Sequence, residues 1–129
     1  MESKILIVDD EVHIRLLIEQ TLEDLEEEGV ELLTAEDGRE AIEVIQAEKP
    51  QLVFLDVMLP KINGFDVCQV VKRDLGLEDV YIVMLTAKGQ EFDKKKGLEV
   101  GANGYMTKPF DPDELLEKAE EVLNLRPQP

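Results

Sequence analysis

The sequence predicts an α/β domain in which helices cover both faces of a parallel β-sheet. The first observation is a regular alternation, because five segments with strand character alternate with five segments of helical periodicity along the 129 residues. The second is the unbroken apolar run Leu52–Leu55, which is typical of a strand buried on both faces in the middle of a parallel sheet. Right-handed crossovers between such strands place helices on both sides of the sheet.

Each predicted strand is short and mostly apolar, and polar residues follow it. The strand at residues 5–8 runs into three acidic residues, and Leu52–Leu55 runs into Asp56. The full set of predicted strands is Ile5–Val8, Glu31–Ala35, Leu52–Leu55, Val80–Leu85 and Tyr105–Thr107.

The predicted helices carry apolar residues at helical spacing. The first runs from Val12 to Glu28 and stops at Gly29, since glycine favours the left-handed geometry of a helix end. The second stops before Pro50, because the residue preceding a proline is driven out of helical geometry. The others are predicted at residues 65–75, at residues 91–100 and after Asp111-Pro112. The helix at 91–100 has the fewest apolar anchors, so we expect it to be the least tightly held.

The composition is that of one acidic domain. A chain of 129 residues with 43% hydrophobic residues can bury one core, so we expect a single domain over residues 1–129, with its core at about 4–125 and a tail or linker start at 126–129. The formal net charge of −16 repels nucleic acid and anionic membranes, so neither is an expected partner. With Cys68 as its only cysteine and no signal peptide or long apolar run, the protein is expected to be cytoplasmic.

Polar residues follow four of the predicted strands, at the edge of the sheet where ligands bind in folds of this class. They are Asp9 and Asp10 after the first strand, Asp56 after the third, Thr86 after the fourth and Lys108 after the fifth. One aspartate at a strand end is often only a turn or helix cap, but agreement among four strand ends is far less probable by chance. We therefore predict that these side chains meet in one site.

The residue types in this site predict a divalent metal and phosphoryl transfer. Three carboxylates would repel one another without a cation, and Mg²⁺ is the hard ion that combines one or two carboxylates with water and phosphate oxygens. Lys108 supplies a compact positive charge for a phosphoryl oxygen, and Thr86 supplies a hydroxyl donor. Asp56 is then a carboxylate nucleophile whose product is an aspartyl phosphate.

Four segments closely resemble the receiver domain of two-component response regulators, the CheY-like domain, and the likeness extends from Lys4 to about Leu125. The segments are Val8-Asp9-Asp10-Glu11, Phe54-Leu55-Asp56-Val57-Met58-Leu59-Pro60, Met84-Leu85-Thr86-Ala87 and the run from Gly101 to Phe110. Each segment alone is a weak signal, but their order and spacing make the match specific. The resemblance implies a flavodoxin-like fold, a doubly wound (βα)5 sandwich whose five parallel strands have the order 2-1-3-4-5.

The resemblance also implies which residues bind the metal and the phosphoryl group. Asp56 would be the phosphoacceptor, and Asp9 and Asp10 would form the acidic pair at the Mg²⁺ site. The backbone carbonyl of Met58 would complete the set of metal ligands.

The resemblance further implies a switch beside the phosphoacceptor. Thr86 matches the switch hydroxyl, Tyr105 the switch aromatic and Lys108 the lysine of the family. The bond from Lys108 to Pro109 corresponds to one that is cis in the family.

The partners implied by the resemblance are proteins. A histidine kinase or phosphotransfer protein would supply the phosphoryl group, and a downstream effector or fused output domain would respond. No turnover of an external substrate is expected, although the domain would assist its own phosphorylation and dephosphorylation. A phosphorylation-dependent dimer is also known in the family, but Gly104 and Lys118 stand where its usual interface has an acid and an arginine.

Three other classes of protein share some of these features. An Mg²⁺-dependent aspartate-nucleophile phosphatase or phosphotransferase would also use strand-end acids, but the haloacid-dehalogenase pattern requires a second aspartate where Met58 stands. A flavin- or nucleotide-binding module would share the fold, yet Asp9-Asp10-Glu11 would repel a phosphate where such a module has a glycine-rich loop. A pseudo-receiver scaffold, which is not phosphorylated, would normally lack one of the site residues, and none is missing.

Overall fold

The computed structural model describes residues 3–87 and 91–125, except the side chains of residues 87 and 91–94. Its strands are β1 at Lys4–Val8, β2 at Glu31–Ala35, β3 at Leu52–Asp56, β4 at Tyr81–Ala87 and β5 at Gly104–Lys108. They form one parallel sheet with the order β2-β1-β3-β4-β5. The predicted fold class, strand order and parallel pairing are confirmed. The predicted tail at 126–129 lies outside the described residues.

The helices follow the strands as predicted, and several begin at side-chain caps. They are α1 at Val12–Thr21, α2 at Glu23–Glu26, α3 at Gly38–Glu48, α4 at Gly64–Gln69, α5 at Glu91–Glu99 and α6 at Pro112–Val122. The carboxylates of Asp37 and Asp111 and the amide oxygen of Asn63 accept hydrogen bonds from main-chain N–H groups in the first turns of α3, α6 and α4.

The single helix predicted at 12–28 is wrong in one respect, because the chain leaves helical geometry at Leu22 and forms two helices, α1 and α2. The hydroxyl of Thr21 donates to the carbonyl of Leu17 at 2.8 Å, a bond that bends helices. Leu22 and Leu25 are both buried in the core, on either side of the end of α1. The predicted stop at Gly29 is confirmed, with a φ of +92° that suits glycine.

The helix predicted at 65–75 also differs from a regular α-helix. It is α-helical to Gln69 and π-helical over Val70–Asp74, where the N–H of Leu75 donates to the carbonyl of Val70 at 2.8 Å. Lys72 and Arg73 in this wide turn donate to the main-chain carbonyls of Glu78 and Glu99, at 3.0 and 2.8 Å. The π-helical turn thus connects α4 to the loop before β4 and to the end of α5.

The core has two layers, one on each face of the sheet. Val53 and Leu55 of β3 belong to the layer that packs under α3 and α4, whereas Leu52 and Phe54 belong to the layer under α1 and α6. These four side chains are fully buried, as the apolar run predicted. At about 25 cal/mol per Å² of apolar surface, burial on both faces makes β3 one of the strands that hold the two layers together.

Two glycines hold the loop after β3 close to its neighbours. A Cβ atom at Gly38 would lie 2.0 Å from the carbonyl oxygen of Ile62, and one at Gly64 would lie 2.4 Å from the carbonyl oxygen of Asp56. The N–H of Gly64 also donates to the carbonyl of Val57 at 2.8 Å. The loop that follows Asp56 is therefore packed against α3 and against the end of its own strand.

We expect Gly38→Ala to destabilise the protein by about 2–3 kcal/mol, because the new methyl group must displace a main-chain carbonyl. Gly97→Ala is a matched control, since a Cβ there would meet its nearest atom at an ordinary 3.7 Å. The control variant should stay within about 1 kcal/mol of wild type, because alanine also favours the helix. Urea unfolding monitored by circular dichroism measures both values, and equal stability of Gly38→Ala and wild type would contradict the close contact.

Candidate functional site

The carboxyl ends of β1, β3 and β5 bring four charged side chains together. One carboxylate oxygen each from Asp9, Asp10 and Asp56 lie within 4.8 Å of one another. The Lys108 ammonium lies beside two of them, 2.8 Å from Asp9 Oδ2 and 3.2 Å from Asp56 Oδ1. The structure thus brings Asp9, Asp10, Asp56 and Lys108 together, as the strand ends predicted.

Asp9 is the buried member of the acidic pair. Its Oδ1 accepts a hydrogen bond from the N–H of Glu11 at 2.9 Å, and its Oδ2 accepts one from Lys108. Both carboxylate oxygens are thus bound by the protein. Asp10 is exposed, and within residues 3–87 and 91–125 the structure shows no hydrogen bond or ion pair to its carboxylate.

Lys108 stays charged in this setting. Burial lowers the pKa of its ammonium, but the hydrogen bond to Asp9 and the charges of Asp56 and Asp9 outweigh burial and raise that pKa above the ordinary lysine value. One ammonium still faces three carboxylates. The site therefore keeps an excess of negative charge.

Asp56 experiences that excess most strongly. Its side chain is almost buried, and the residue is 5% exposed at the end of β3. Burial and then the charge of Asp9 raise the pKa of its carboxyl to about 6, against the opposing effect of Lys108. The N–H of Met58 makes only a long contact of 3.4 Å with Asp56 Oδ1.

A small cleft opens above these groups. It has a volume of about 310 Å³, and Asp10, Asp56, Met58 and Lys108 are among the residues that line it. The loop that carries Met58 is held by the N–H of Val57, which donates to the carbonyl of Leu85 at 3.1 Å, and by the packing of Gly64. The cleft is large enough for a phosphoryl group and faces solvent through Asp10.

The donor set fits a hard divalent cation. Carboxylate oxygens such as those of Asp9, Asp10 and Asp56 are ligands that Mg²⁺ accepts, and the exposed Asp10 carboxylate is not engaged by any described residue. A cation here would also oppose the repulsion that raises the pKa of Asp56.

Thr86 and Tyr105 lie on one face of the sheet. Met84 pairs with Tyr105 and Thr86 pairs with Thr107, and side chains two residues apart on a strand share a face. Thr86 is buried, whereas Tyr105 is 44% exposed. The bond between Lys108 and Pro109 is cis, as the resemblance implied.

Arg15 is a further residue of this region, and it was not among the residues predicted from the sequence. Its guanidinium donates to the main-chain carbonyl of Asp9 at 2.7 Å. A signal was present, because Arg15 stands in the first turn of α1 and long helical side chains point toward the helix N-terminus, here toward Asp9. The tight packing of Gly38 and Gly64 was also unforeseen, since it depends on which loops meet in space.

None of the helices within the described parts of the chain combines the length and apolar character needed to cross a membrane.

Comparisons with known proteins agree with this geometry. The family model for the response regulator receiver domain matches residues 5–120. The chain is 46% identical over 123 residues to the alkaline phosphatase synthesis transcriptional regulatory protein PhoP of Bacillus subtilis, covering 95% of this chain and 49% of that protein. It is 49% identical over 119 residues to the phosphate regulon transcriptional regulatory protein PhoB of Pseudomonas aeruginosa, covering 92% and 51%. The chain thus spans about half the length of these curated relatives.

Solved structures give the same likeness. The chemotaxis response regulator CheY4 of Vibrio cholerae superposes with a TM-score of 0.82 at 35% identity, over 95% of this chain and 99% of that one. The BeF3-activated DrrB receiver domain superposes with a TM-score of 0.83 at 31% identity, over 96% and 99%.

The raised pKa of Asp56 predicts a stability effect that depends on pH. A folded-state pKa of about 6, above the ordinary 3.8, means that the folded protein binds the proton more tightly, so the free energy of unfolding should fall as pH rises through this interval. Asp56→Asn removes the buried charge, so we expect it to be about 1–2 kcal/mol more stable than wild type at pH 7.5 in EDTA. The difference should shrink toward zero near pH 4.

Urea unfolding at several pH values tests this expectation. Asp74→Asn is the control, because Asp74 is an exposed carboxyl away from the site, and it should stay within about 0.5 kcal/mol of wild type throughout. If Asp56→Asn and wild type are equally stable at pH 7.5, the buried carboxylate does not destabilise the fold.

Proposed function

The chain belongs to the response regulator receiver domain family, and from that premise we propose that Asp56 is the residue that accepts the phosphoryl group. The protein is the receiver domain of a two-component response regulator, and the family match favours neither the phosphatase nor the pseudo-receiver alternative. The observation that supports Asp56 most is its place, almost buried at the end of β3 between the Lys108 ammonium and two further carboxylates.

The proposed reaction is a direct transfer to a carboxylate oxygen. An Asp56 oxygen attacks phosphorus and forms a P–O bond, while the bond from phosphorus to the donor breaks and the donor keeps that electron pair. The donor is a phosphohistidine of a histidine kinase or phosphotransfer protein, or a small acyl phosphate. The product is an aspartyl phosphate, and water later returns the carboxylate and inorganic phosphate.

The neighbouring side chains hold the reacting groups in place. Lys108, already 3.2 Å from Asp56 Oδ1, would move its hydrogen bond to a phosphoryl oxygen as the Asp56 charge is consumed. Asp9 is fully buried and its Oδ2 lies 2.8 Å from the Lys108 ammonium, so it would keep that ammonium oriented. Thr86 would donate its hydroxyl to a second phosphoryl oxygen.

We propose that Mg²⁺ is bound by Asp10, Asp56 and the Met58 carbonyl, with Asp9 beside them. When bound, the ion neutralises charge on the carboxylates and on the phosphoryl oxygens in transfer. Receiver domains generally use this ion, and the three aspartates of this chain provide the matching cluster. Asp10 is the ligand most open to solvent and would take up the ion first.

The wider role is proposed from the relatives. Because PhoP and PhoB are transcriptional regulators, we propose that phosphorylation of this domain controls a transcriptional output through an effector or fused output domain. The charge of −16 makes it unsuited to bind nucleic acid itself. We further propose one domain, a cytoplasmic location, and no membrane or external substrate. Any dimer would need an interface adapted to Gly104 and to Lys118, which instead lies 3.9 Å from Glu121.

We expect purified protein with Mg²⁺ and acetyl phosphate to gain one hydroxylamine-labile phosphoryl group at Asp56, detected by intact-protein mass spectrometry. Asp56→Asn should not be labelled, because the amide is not a nucleophile. Asp66→Asn is the matched control on the adjacent helix α4, and it should be labelled like wild type. Labelling of Asp56→Asn at the wild-type rate would exclude Asp56 as the acceptor.

The metal requirement is part of the same experiment. EDTA should abolish labelling of wild type, and Asp10→Ala should lose Mg²⁺-dependent labelling because a ligand is gone. Labelling of Asp10→Ala in EDTA would contradict the metal assignment.

The switch is proposed to couple Thr86 to Tyr105. Phosphorylation adds roughly two negative charges and strong acceptor oxygens beside Thr86 and Lys108, which draws both toward the phosphoryl group. Movement of Thr86 vacates space on the sheet face that it shares with Tyr105. The half-exposed ring of Tyr105 can then turn inward, and the surface formed by α5, β5 and α6 changes.

We expect beryllofluoride, an analogue of the phosphoryl group, to shift amide resonances from residue 86 to residue 110 in NMR spectra. Thr86→Ala should reduce the shifts around Tyr105 because it lacks the hydroxyl. Thr86→Ser keeps the hydroxyl and is the control, which should respond like wild type. Shifts confined to the acidic cleft, or an unchanged response in Thr86→Ala, would rule out this coupling.

A further inference from the structure

Arg15 contacts the metal site through the main chain and not through a carboxylate. Its Nη1 donates to the carbonyl oxygen of Asp9 at 2.7 Å, and its Nη2 lies 3.6 Å from Oε1 of Glu36. The arginine side chain is only 12% exposed. A largely buried guanidinium thus binds the turn between β1 and α1.

This hydrogen bond bears on Asp10 because of peptide geometry. The carbonyl of Asp9 belongs to the planar unit that ends at the Cα atom of Asp10, so holding the oxygen fixes the orientation of that plane. Asp9 has further restraints, since its side chain is bound by Glu11 and Lys108. The exposed carboxylate of Asp10 has none from the described residues, so the direction of its side chain depends on its main chain.

The far end of the Arg15 side chain rests on an ordered helix start. The N–H of Glu36 donates to the Glu40 carboxylate at 2.7 Å, and the N–H of Glu40 donates to the carboxylate of the cap residue Asp37 at 2.8 Å, so two side chains bind main-chain N–H groups around the start of α3. The Glu36 carboxylate is itself largely exposed, and exposed ion pairs are weak. The hydrogen bond to Asp9 is therefore the stronger of the two contacts of Arg15.

We propose that Arg15 is a positioning residue that sets the direction of Asp10 for Mg²⁺ without contacting the ion or the phosphoryl group. This inference rests on the proposed function, in which Asp10 is a metal ligand. Arg15 binds the Asp9 carbonyl and so orients the peptide unit that leads to Asp10. Metal-bound histidines are oriented in a comparable way by a hydrogen bond to a neighbouring carboxylate.

Because Arg15 is positively charged, its electrostatic effect and its positioning effect predict opposite changes in Mg²⁺ affinity when it is removed. Removing a positive charge from beside the Asp9 main chain makes the potential at the acidic site more negative, and electrostatics alone would then tighten Mg²⁺ binding. Loss of positioning predicts the opposite change. Weaker binding after removal of Arg15 therefore separates the two effects.

The experiment titrates Mg²⁺ into ¹⁵N-labelled protein at constant ionic strength and follows the amide shifts of the site. We expect Arg15→Gln to raise the Kd for Mg²⁺ roughly tenfold and Arg15→Lys to raise it roughly threefold, because the ammonium still donates to the Asp9 carbonyl. Glu36→Gln should have a smaller effect than either. Arg39→Gln is the control, since it removes the same charge from an exposed site on α3 and should leave the Kd unchanged or slightly lower.

A second measurement distinguishes positioning from general damage. The rate of labelling by acetyl phosphate is measured as a function of Mg²⁺ concentration for each variant. For Arg15→Gln we expect a higher half-saturating Mg²⁺ concentration and a rate at saturation within about twofold of wild type. A rate that stays low at saturating Mg²⁺ would mean that Arg15 supports the fold or the chemistry and would overturn the proposal.

Mg²⁺ binding by the Arg15 variants also decides whether Arg15 has the proposed role. Equal or tighter Mg²⁺ binding by Arg15→Gln overturns the proposal, and if that variant does not fold, unchanged binding by Arg15→Lys does so. If wild type binds Mg²⁺ and is labelled at Asp56, such a result removes only the role of Arg15. If wild type neither binds Mg²⁺ nor is labelled at Asp56, the proposed function fails first and this inference fails with it.

Discussion

The ion pairs of Lys108 with Asp9 and Asp56 are the interaction on which the site depends. The parallel sheet delivers several strand ends to one edge, and here those ends carry more negative than positive charge. One ammonium lowers the repulsion between two of the carboxylates, at 2.8 and 3.2 Å, without removing it. Burial of the Asp56 carboxyl and the remaining repulsion from Asp9 together raise its pKa. A divalent cation or a phosphoryl group that engages Lys108 changes that balance directly.

Holding repelling groups together requires a rigid frame, because strain in a site is stable only where the surroundings determine it. In this protein, close main-chain packing and a few long side chains supply that frame. Gly38 and Gly64 let the loop after β3 approach its neighbours at distances no side chain would allow. Arg15 binds the carbonyl of Asp9, and Lys61 lies 3.5 Å from the carboxylate of Asp37 at the start of α3. The start of α3 therefore contacts both loops that carry site residues.

The fold was predictable because its signals are local. Apolar runs, caps such as Asn63 and stop residues such as Gly29 act over a few residues, so the order and type of elements follow from short stretches of chain. The errors came where the local pattern carries no sign of the change in geometry. Ile18, Leu22 and Leu25 keep helical spacing and all three are buried, so the apolar pattern does not indicate the break at Leu22. The π-helical turn at Val70–Asp74 has no sequence signal of its own and is accompanied by contacts to distant carbonyls.

The sequence by itself determined the fold class and which residues could form a site, because residue type and position at a strand end decide what reaches the carboxyl edge of a parallel sheet. Only the tertiary structure decided how those residues share their charges. It buries Asp9 and leaves Asp10 exposed, although the two are adjacent in the chain. It also places Lys108 and Arg15 against the same aspartate, one at its carboxylate and one at its carbonyl. The distances between these charged groups arise from contacts between segments far apart in the chain, and no local pattern encodes them.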